Sequence, residues 1–358
     1  MKAAVYVGDS SKLSLEQLKP NPPGPRDIVV EVGASGVCHS DLSIMRGYVP
    51  VPPGMVLGHE GAGRVAEVGA EVTRVSKGDR VIASFVPACG HCWYCLREQT
   101  ELCECENEIS MAMRGSRPDG SPYFCMTGLG TFSETMTVNE ASVVKVETDL
   151  PDAQLALIGC GVTTGVGAAL NTAKIRPGAS VAVLGCGGVG QAVIQGARIA
   201  GAGRIIAIDP QELKRKTAAK LGATDVVDPS QGDPVEQVKA LTGGRGADYA
   251  FEVIGLPETI LTSYMLARRG GEVIIVGMAR FDAQFTLPAF GIFYEEKTVK
   301  GCKYGSAQVR RDFPRFVDLI ETGRLDISAM VSKTIKLDGV NDAFRAMESG
   351  EVIRSVIV

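Results

Sequence analysis

The spacing of hydrophobic and polar residues predicts a β-rich first part of the chain. Residues 27–32 and 63–68 alternate between apolar and polar positions, as half-buried strands do. Gly78 and Asp79 form a turn that leads into another strand at residues 80–83. Four of the six residues at positions 20–25 are proline, which predicts a loop there.

After about residue 180 the pattern changes to strands that alternate with helices. Residues 180–184 form a short apolar run typical of a buried strand, and residues 189–200 carry apolar side chains at helical spacing. Further strands are predicted at residues 204–208, 225–227, 248–253, 272–276 and 298–301, and further helices at residues 214–221, 312–322 and 341–348. About six strands with helices between them predict a parallel, doubly wound sheet and an α/β fold.

The composition is that of an ordinary globular protein of about two domains. Of the 358 residues, 45% are hydrophobic and 22% are charged, and the formal net charge of −4 gives no general attraction to nucleic acid or to an anionic membrane. The N-terminus lacks the apolar core of a signal peptide, and no apolar stretch approaches the ~20 residues that span a bilayer. We therefore expect a soluble, cytoplasmic protein with neither a nucleic-acid nor a membrane partner.

A glycine-rich turn, Gly185-Cys-Gly-Gly-Val-Gly190, matches the G-x-G-x-x-G pattern of dinucleotide-binding sites. The pattern alone is weak in a chain with 43 glycines, but this copy follows a predicted strand and opens a predicted helix. Asp209, 19 residues after Gly190, ends the next strand, where a carboxylate can accept hydrogen bonds from the adenosine ribose. A 2′-phosphate would face this carboxylate, and Pro210 stands where an NADP site needs a basic residue. The sequence therefore predicts NAD as the cofactor.

The ten cysteines are distributed as metal ligands are, because five of them lie between Cys89 and Cys105. Disulfides are not expected, since cytosolic thiols stay reduced. Four of the five follow the pattern C-x2-C-x2-C-x7-C and predict a closed, structural zinc site: Cys89, Cys92, Cys95 and Cys103. His91 is an alternative ligand, but four thiolates already fill a tetrahedron. Cys105 and Cys125 are interpreted as bystanders.

A second set of candidate ligands is dispersed along the chain. Cys38, His59 and Cys160 each stand next to a glycine or within two residues of one, and each taken singly is more often a core residue than a ligand. Together, two cysteines and one histidine make an open zinc site that leaves a fourth position for a substrate oxygen. Spacing along the sequence does not establish that the three meet.

These motifs occur in an order that identifies a family. The segments at residues 36–41, 58–63, 89–103, 159–165 and 185–190 make the chain resemble, from Met1 to Val358, the zinc-containing alcohol dehydrogenases of the medium-chain dehydrogenase/reductase superfamily. The resemblance implies a GroES-like, β-rich catalytic domain at residues 1–161, with the structural zinc lobe at about 89–103. It further implies a Rossmann NAD-binding domain at residues 162–303 and a segment, 304–358, that returns to the catalytic domain.

The resemblance assigns a catalytic zinc ion to Cys38, His59 and Cys160. Glu60 matches a carboxylate behind the metal, and Asp41 matches a residue that orients His59. Ser40 matches the hydroxyl that takes the proton of the alcohol, which zinc, as a Lewis acid, makes more acidic. A plainer alternative remains for Glu60, as an ordinary buried ion-pair partner.

The resemblance also assigns the cofactor site. His39 and Arg354 match residues that hold the pyrophosphate, although His39 could be a solvated neighbour of the zinc ligand. Thr164 and Val189 match residues that pack against nicotinamide, and Lys214 matches a lysine that contacts ribose. The full predicted cofactor site consists of His39, Thr164, Gly185, Gly187, Gly188, Val189, Gly190, Asp209, Lys214, Val276 and Arg354.

By the same alignment the substrate channel is apolar and is lined by Val49, Phe85, Met126, Thr127 and Met278. This lining favours medium-sized alcohols, including aromatic or allylic ones. Ser43 stands where many members carry a histidine, so water or His39 would have to complete the proton relay. Asn107 stands where the branch that oxidises the glutathione adduct of formaldehyde has arginine, which argues against that substrate. Lys303 replaces an apolar residue and would favour an anionic or polar substrate.

The implied function is reversible hydride transfer between a primary or secondary alcohol and NAD, with two zinc ions per chain. The alternatives are an aldehyde or ketone reductase of the same family, or a non-catalytic NAD-binding relative. A polyol dehydrogenase is less expected, because those relatives replace the second catalytic cysteine by a carboxylate, whereas this chain has Cys160. The 57 positions from Cys103 to Cys160 favour a homodimer over a tetramer.

Overall fold

A computed structural model describes all 358 residues and divides them into two compact units. The first unit contains Met1–Gly161, Gln308–Gly323 and Val331–Val358, and the second contains Val162–Ala307 and Arg324–Met330. The expected single return of residues 304–358 to the first unit is therefore wrong in detail. Residues 304–307 and 324–330 belong to the second unit, where Gln195 donates to the carbonyl of Asp326 at 2.9 Å.

The first unit is built on a large, mostly antiparallel sheet. Its strands lie in the order Val143–Lys145, Arg80–Ala83, Gly61–Val68, Asp27–Gly36, Arg354–Ile357 and Val331–Ile335, with Thr135–Asn139 also paired to Asp27–Gly36. A second sheet has the order Ser14–Gln17, Lys2–Tyr6, Met55–Val56, Pro122–Cys125, Gly115–Ser116 and Lys19–Pro20. The α-helices of this unit are His39–Met45, Glu106–Ser110, Asp152–Leu157, Val309–Glu321 and Val340–Glu348.

The strand nearest the C-terminus completes the large sheet. Arg354–Ile357 pairs antiparallel with Asp27–Gly36, so that Val356 lies opposite Gly36. All four residues of the C-terminal strand are buried. This pairing carries Arg354 to the end of the sheet where Gly36 leads into residues 37 and 38, a placement that local sequence does not encode.

The second unit is a doubly wound parallel sheet. Its strands lie in the order Asp225–Val227, Arg204–Ile208, Ser180–Leu184, Ala247–Glu252, Ala267–Ile275 and Thr298–Gly301, and every neighbouring pair is parallel. Its α-helices are Thr163–Gly167, Gly188–Ile199, Glu212–Leu221, Pro234–Leu241, Pro257–Leu266 and Ala289–Glu295. The spatial order, 3-2-1-4-5-6 in chain sequence, reverses at the strand Ser180–Leu184, which is where such sheets bind dinucleotides.

The expectation that no apolar stretch approaches bilayer-spanning length is wrong, because one helical run of 21 residues, Asp152–Thr172, is long and apolar enough by length and composition to cross a membrane. Of its most apolar window, 78% is buried inside the protein. Such burial is typical of a core helix rather than of a lipid-facing one. Within this run, Ile158–Val162 has π-helical hydrogen bonding.

Candidate active site and metal centres

Three separate segments of the first unit bring the dispersed ligands together. Cys38 is the residue before the helix His39–Met45, His59 precedes the strand Gly61–Val68, and Cys160 lies in the π-helical segment. The two thiols, a ring nitrogen of His59 and a carboxylate oxygen of Glu60 all lie within 4.8 Å of one another, and all four residues are buried. Short π-helical segments are frequent at functional sites, because one extra residue per turn re-aims a side chain.

The backbone around His59 depends on a glycine. Gly58 has a φ of +90°, and a Cβ there would lie 2.5 Å from the backbone nitrogen of Phe132. Any other residue would therefore be strained and would also clash. Glycine at this position fixes the path that carries His59 and Glu60 into the interior.

Asp41 holds the imidazole of His59 in place. Its Oδ1 lies 3.2 Å from Nδ1 of His59 and accepts a hydrogen bond from the Gly58 N–H at 2.9 Å. Its Oδ2 accepts from the Cys38 N–H at 3.1 Å, which caps the helix His39–Met45. Burial lowers the pKa of His59, but the charge and hydrogen bond of Asp41 outweigh it and raise that pKa well above its usual range. One carboxylate thus fixes the positions of two predicted metal ligands.

The donor set fits a zinc ion. With Nδ1 of His59 on Asp41, the other ring nitrogen, Nε2, is buried without a hydrogen-bond partner on the side of the two thiols. An orphaned buried nitrogen is costly unless a cation takes its lone pair. Two thiolates and one imidazole are the ligand types zinc prefers, and three protein ligands leave a position for substrate.

The pKa values of the two thiols in this cluster are shifted in opposite directions. A hydrogen bond from Cys160 lowers the pKa of Cys38 well below its usual range, against the effect of burial and with help from His59. The same contact with Cys38, followed by burial, raises the pKa of Cys160 well above its usual range. A second negative charge beside the first is unfavourable in a buried site, so both thiols become thiolates together only when a cation is bound.

Glu60 forms a buried ion pair, the alternative that the sequence left open, and its partner is Arg354, which the resemblance had assigned to the cofactor pyrophosphate. The Arg354 Nη2 contacts Glu60 Oε2, and the Gly161 N–H donates to Oε1 at 3.3 Å. Burial raises the pKa of Glu60 to about 7, and the charge of Arg354 opposes this shift. Two thiolates would balance a divalent ion and Arg354 balances Glu60, so the Asp41 carboxylate, which is hydrogen-bonded to His59 and two backbone N–H groups, would carry the one remaining charge. Glu60 therefore is an ion-pair partner and also stands directly beside the metal ligands.

The remaining predicted catalytic and substrate residues of the first unit either contact this metal cluster or lie in the hydrophobic core of the unit. The half-buried Ser40 has its Oγ 3.8 Å from Cys38 Sγ. Phe85 meets the His59 ring edge-on, with ring centroids 5.6 Å apart. Val49 and Met126 share one hydrophobic cluster. Thr127 adopts a left-handed φ of 51° and donates to the carbonyl of Met126 at 2.7 Å, whereas Met278, in the second unit, is 45% exposed.

The four-cysteine pattern folds into a compact thiol cluster. The sulfurs of Cys89 and Cys95 are 3.9 Å apart, and those of Cys92 and Cys103 are 4.0 Å apart. Zinc–sulfur bonds of about 2.3 Å place the sulfurs of a tetrahedral site roughly 3.8 Å apart, so the spacing fits zinc. Backbone N–H groups support the sulfurs: Cys92 donates to Cys89 Sγ at 3.3 Å, and Cys89 donates to Cys103 Sγ at 3.3 Å.

Cys105, which the sequence left as a bystander, lies close to two other candidate ligands. Its sulfur, the sulfur of Cys89 and a ring nitrogen of His91 all lie within 4.8 Å of one another, the same bound that the two predicted zinc sites satisfy. His91 is exposed, and both cysteines are half-buried. The spacing of Cys105, two residues after Cys103, was the only sequence signal for this grouping.

The glycine-rich turn of the second unit leaves room for a dinucleotide. A Cβ on Gly187 would meet no protein atom within 4 Å, and the φ of −69° at this residue does not require glycine. Neither local strain nor packing explains the residue, whereas close approach of a pyrophosphate does. Gly187 directly precedes the helix Gly188–Ile199, whose first N–H groups are available to phosphate oxygens.

Asp209 directly follows the next strand, Arg204–Ile208, and is hydrogen-bonded to the glycine-rich turn. The carboxylate accepts the backbone N–H of Cys186 at 2.8 Å and that of Gln211 at 2.9 Å. Lys214 Nζ lies 4.0 Å away, and Arg215 donates to the Asp209 backbone carbonyl at 2.7 Å. The carboxylate is therefore fixed to the same glycine-rich turn that is predicted to hold the phosphates.

The other predicted cofactor residues have ordinary environments. His39 is exposed, and Thr164 is buried. Val189 and Val276 are half-buried, and the Val276 N–H donates to the carbonyl of Glu252 at 2.8 Å.

Two family models match the chain where these sites lie. The alcohol dehydrogenase GroES-like domain matches residues 24–148, and the zinc-binding dehydrogenase domain matches residues 188–322. The first range includes the four-cysteine cluster with Cys38 and His59, and the second begins inside the glycine-rich turn.

Individual relatives agree with the family models. An S-(hydroxymethyl)glutathione dehydrogenase from Photobacterium damsela subsp. piscicida is 38% identical over 369 residues, covering 99% of both chains. The solved benzyl alcohol dehydrogenase of Acinetobacter calcoaceticus is 29% identical with a TM-score of 0.92, covering 99% of this chain and 98% of that one. A Sinorhizobium meliloti 1021 protein solved with NADP is 29% identical with a TM-score of 0.82, covering 100% of this chain and 98% of that one. Together with the cysteine clusters, these matches support GroES-like and Rossmann domains, zinc and NAD(P) for this chain. The chain therefore belongs to the zinc-containing alcohol dehydrogenase family of the medium-chain dehydrogenase/reductase superfamily.

Proposed function

We propose that this alcohol dehydrogenase acts on medium-sized apolar alcohols, including aromatic and allylic ones, and on the matching aldehydes and ketones. The proposal rests on the Phe85 ring, which meets His59 edge-on at 5.6 Å and gives the metal cluster an apolar neighbour. Val49 and Met126, from the same predicted lining, belong to one hydrophobic cluster. Charged or highly hydroxylated substrates would lose hydration against such a surface without gaining hydrogen bonds.

Cys38, His59 and Cys160 would hold the catalytic zinc, and the four-cysteine cluster would hold the structural one. When bound, the catalytic ion supplies Lewis acidity that lowers the pKa of the alcohol. Asp41 keeps the imidazole oriented, and Arg354 keeps the Glu60 carboxylate compensated beside the ligands. These contacts hold the site rigid, so little reorganisation is needed during the reaction.

Ser40 is the side chain proposed to take the alcohol proton. Its hydroxyl lies 3.8 Å from Cys38 Sγ, and it is half-buried, so that it can pass the proton outward. Cys38 and Cys160 are committed to the metal, and Ser43 stands where a distal relay histidine is often found. His39, exposed beside Ser40, or water would complete the path. A bound nicotinamide would supply the hydride acceptor, and the role of Ser40 would be to carry the alcohol proton away from the site.

The proposed cofactor preference is NAD over NADP. One structural relative was solved with NADP, so the preference must rest on this chain's own residues. Asp209 presents a buried carboxylate at the end of its strand, and Lys214 Nζ lies 4.0 Å from it. The next cation, Arg215, is engaged by Asp228 at 2.8 Å and by the Asp209 carbonyl at 2.7 Å. Both cations nearest to Asp209 therefore already contact a carboxylate of this chain.

A substrate panel tests the proposed substrate class and cofactor. Benzyl, allyl and medium-chain alcohols, a polyol and S-(hydroxymethyl)glutathione are supplied with NAD or NADP, and reduced cofactor is followed by absorbance. We expect the highest kcat/KM with an apolar alcohol and NAD. A preference for the glutathione adduct or the polyol would contradict the substrate proposal. The reverse reaction on the matching aldehydes compares the two directions.

Two substitutions test the proton path. Ser40→Ala should lower kcat by about 10²-fold or more, the usual contribution of a positioned proton acceptor. Ser40→Thr keeps the hydroxyl and should stay active. Zinc content and NAD affinity serve as controls and should be unchanged in both variants. Near wild-type turnover in Ser40→Ala would show that the proton leaves by another route.

We also propose that two copies associate through the second unit. The strand Thr298–Gly301 ends its sheet with one edge unpaired, and the neighbouring helix Ala289–Glu295 exposes Phe290 and Phe293 by 72% and 77%. An unpaired edge beside exposed aromatic side chains is typical of an isologous interface, in which the two edge strands pair. Phe293→Asp should shift sedimentation from dimer to monomer, whereas Met111→Asp, on another exposed apolar residue that lies in the first unit, should not. A monomeric or tetrameric wild type would contradict the dimer.

We propose that the protein is located in the cytoplasm, a reducing compartment, because its thiols are not oxidised to disulfides. None of the ten cysteines forms a disulfide bond, and seven of them are the predicted zinc ligands. Zinc-binding thiols must remain reduced to bind metal. Fractionation of the native cells would test it, and recovery of the protein outside the cytoplasm would contradict it.

A further inference from the structure

We infer that Cys89, His91 and Cys105 form a third metal site, on the surface of the zinc lobe, for a soft d10 cation such as Zn²⁺ or Cd²⁺. The site uses two residues that neither predicted zinc site needs, His91 and Cys105. It goes beyond the proposed dehydrogenase function and does not depend on it.

The geometry of the three ligands supports the site. Their ligand atoms lie within 4.8 Å of one another. Around one tetrahedral zinc ion, sulfurs and imidazole nitrogens stand roughly 3.5–3.8 Å apart, so small side-chain rotations would close the set. His91 Nδ1 is 3.3 Å from the backbone carbonyl of Cys89, an arrangement that leaves Nε2 as the ligand atom.

The charge of the neighbouring four-cysteine site favours a second cation. Four thiolates around one divalent ion leave two surplus negative charges, and a thiolate sulfur keeps lone pairs with which it can bridge two metals. Cys89 belongs to both groups, and its sulfur accepts backbone N–H groups from His91 at 3.5 Å and from Cys92 at 3.3 Å. The nearby Arg97 does not supply the missing positive charge, because its guanidinium stacks on the Trp93 ring at 4.0 Å.

Accessibility and donor type determine which ion would bind. His91 is exposed and the two cysteines are half-buried, so an ion can enter directly from solvent. Two thiolates and one imidazole select soft ions over Mg²⁺ or Ca²⁺. Three protein ligands leave one position for water or for a small anion.

Metal counting on the zinc-loaded enzyme tests the inference. Cd²⁺ is added stepwise, loosely bound metal is removed by desalting, and zinc and cadmium per chain are measured together with the thiolate-to-cadmium absorption band. We expect one cadmium ion per chain in addition to the zinc already present. Cys105→Ser and His91→Ala should each weaken its binding by more than about tenfold, since even outer-shell partners of a metal contribute that much. Both variants should keep their zinc and their dehydrogenase activity.

Cys302→Ser is the matched control, because Cys302 is also a half-buried cysteine but belongs to the second unit. It should bind the additional cadmium ion as the wild type does. Four results would overturn the inference: no more than two metal ions per chain in the cadmium-treated wild type, cadmium that replaces zinc one for one while the total stays at two ions per chain, unchanged binding in both lobe variants, or loss of zinc from Cys105→Ser. The last result would make Cys105 a ligand of the four-cysteine site instead.

Discussion

Replacing Asp41 by asparagine tests whether one buried carboxylate holds the catalytic metal site together. Asp41 is fully buried and accepts three hydrogen bonds, two at Oδ1 from Gly58 and His59 and one at Oδ2 from Cys38. Asparagine keeps one oxygen but replaces the other with an NH₂ group. If the remaining oxygen accepts the hydrogen bonds from Gly58 and His59, the new NH₂ group points at the Cys38 N–H. Two hydrogen-bond donors then face each other without an acceptor.

The magnitude follows from these contacts. One buried donor without an acceptor costs about 1–3 kcal/mol of unfolding free energy. The imidazole also loses a charged partner that raises its pKa, and loss of such a partner weakens metal binding about 10–100-fold. That factor corresponds to roughly 1.4–2.8 kcal/mol of zinc-binding free energy. We therefore expect Asp41→Asn to fold with reduced stability and to lose its catalytic zinc readily.

The assay measures zinc per chain and the half-time of zinc loss to a chelator, alongside thermal unfolding. Asp312→Asn is the matched control, since Asp312 is also fully buried and accepts the Gln308 N–H at 3.0 Å but lies in no predicted metal site. It should unfold at a lower temperature and keep its zinc. Wild-type zinc retention in Asp41→Asn, or equal zinc loss in the control, would refute the reasoning.

Three further predictions concern other parts of the site. Asp209→Ser should relax a cofactor preference of about a hundredfold, because a like-charge contact with a 2′-phosphate costs a few kcal/mol; a wild type that uses NADP as well as NAD would contradict the assignment. Cys89→Ala should lower the thermal midpoint and lose lobe zinc, whereas Cys160→Ala should abolish turnover with the fold intact; metal analysis that finds fewer than two zinc ions in untreated wild type would contradict separate roles. Burial raises the pKa of Glu60 to about 7. Below that pH the carboxyl group of Glu60 therefore holds a proton in the zinc-free site, and a cation bound nearby would displace this proton. Zinc affinity should therefore rise more steeply with pH below about 7 in the wild type than in Glu60→Gln, whereas the proton on Cys160 adds the same slope to both proteins; equal slopes below pH 7 in an equilibrium competition assay would show that Glu60 does not titrate.

The sequence by itself determined the elements and sites that depend on neighbouring residues. The strands at 180–184, 204–208, 225–227 and 298–301 have the predicted bounds, because each is a short apolar or β-branched run between turn residues. The glycine-rich turn could be recognised because its strand, turn and helix are consecutive. The four-cysteine cluster spans only 15 residues, so chain connectivity alone keeps its sulfurs close.

Only the tertiary structure decided which distant residues meet. Cys38, His59 and Cys160 converge because a helix start, a tight turn and a π-helical segment end at one place. Arg354 reaches Glu60, 294 positions away, through the pairing of the C-terminal strand with Asp27–Gly36. Strand register sets such contacts, and register depends on the packing of whole sheets rather than on any local pattern. For the same reason the sequence left Cys105 as a bystander, although folding places its sulfur beside Cys89 and His91.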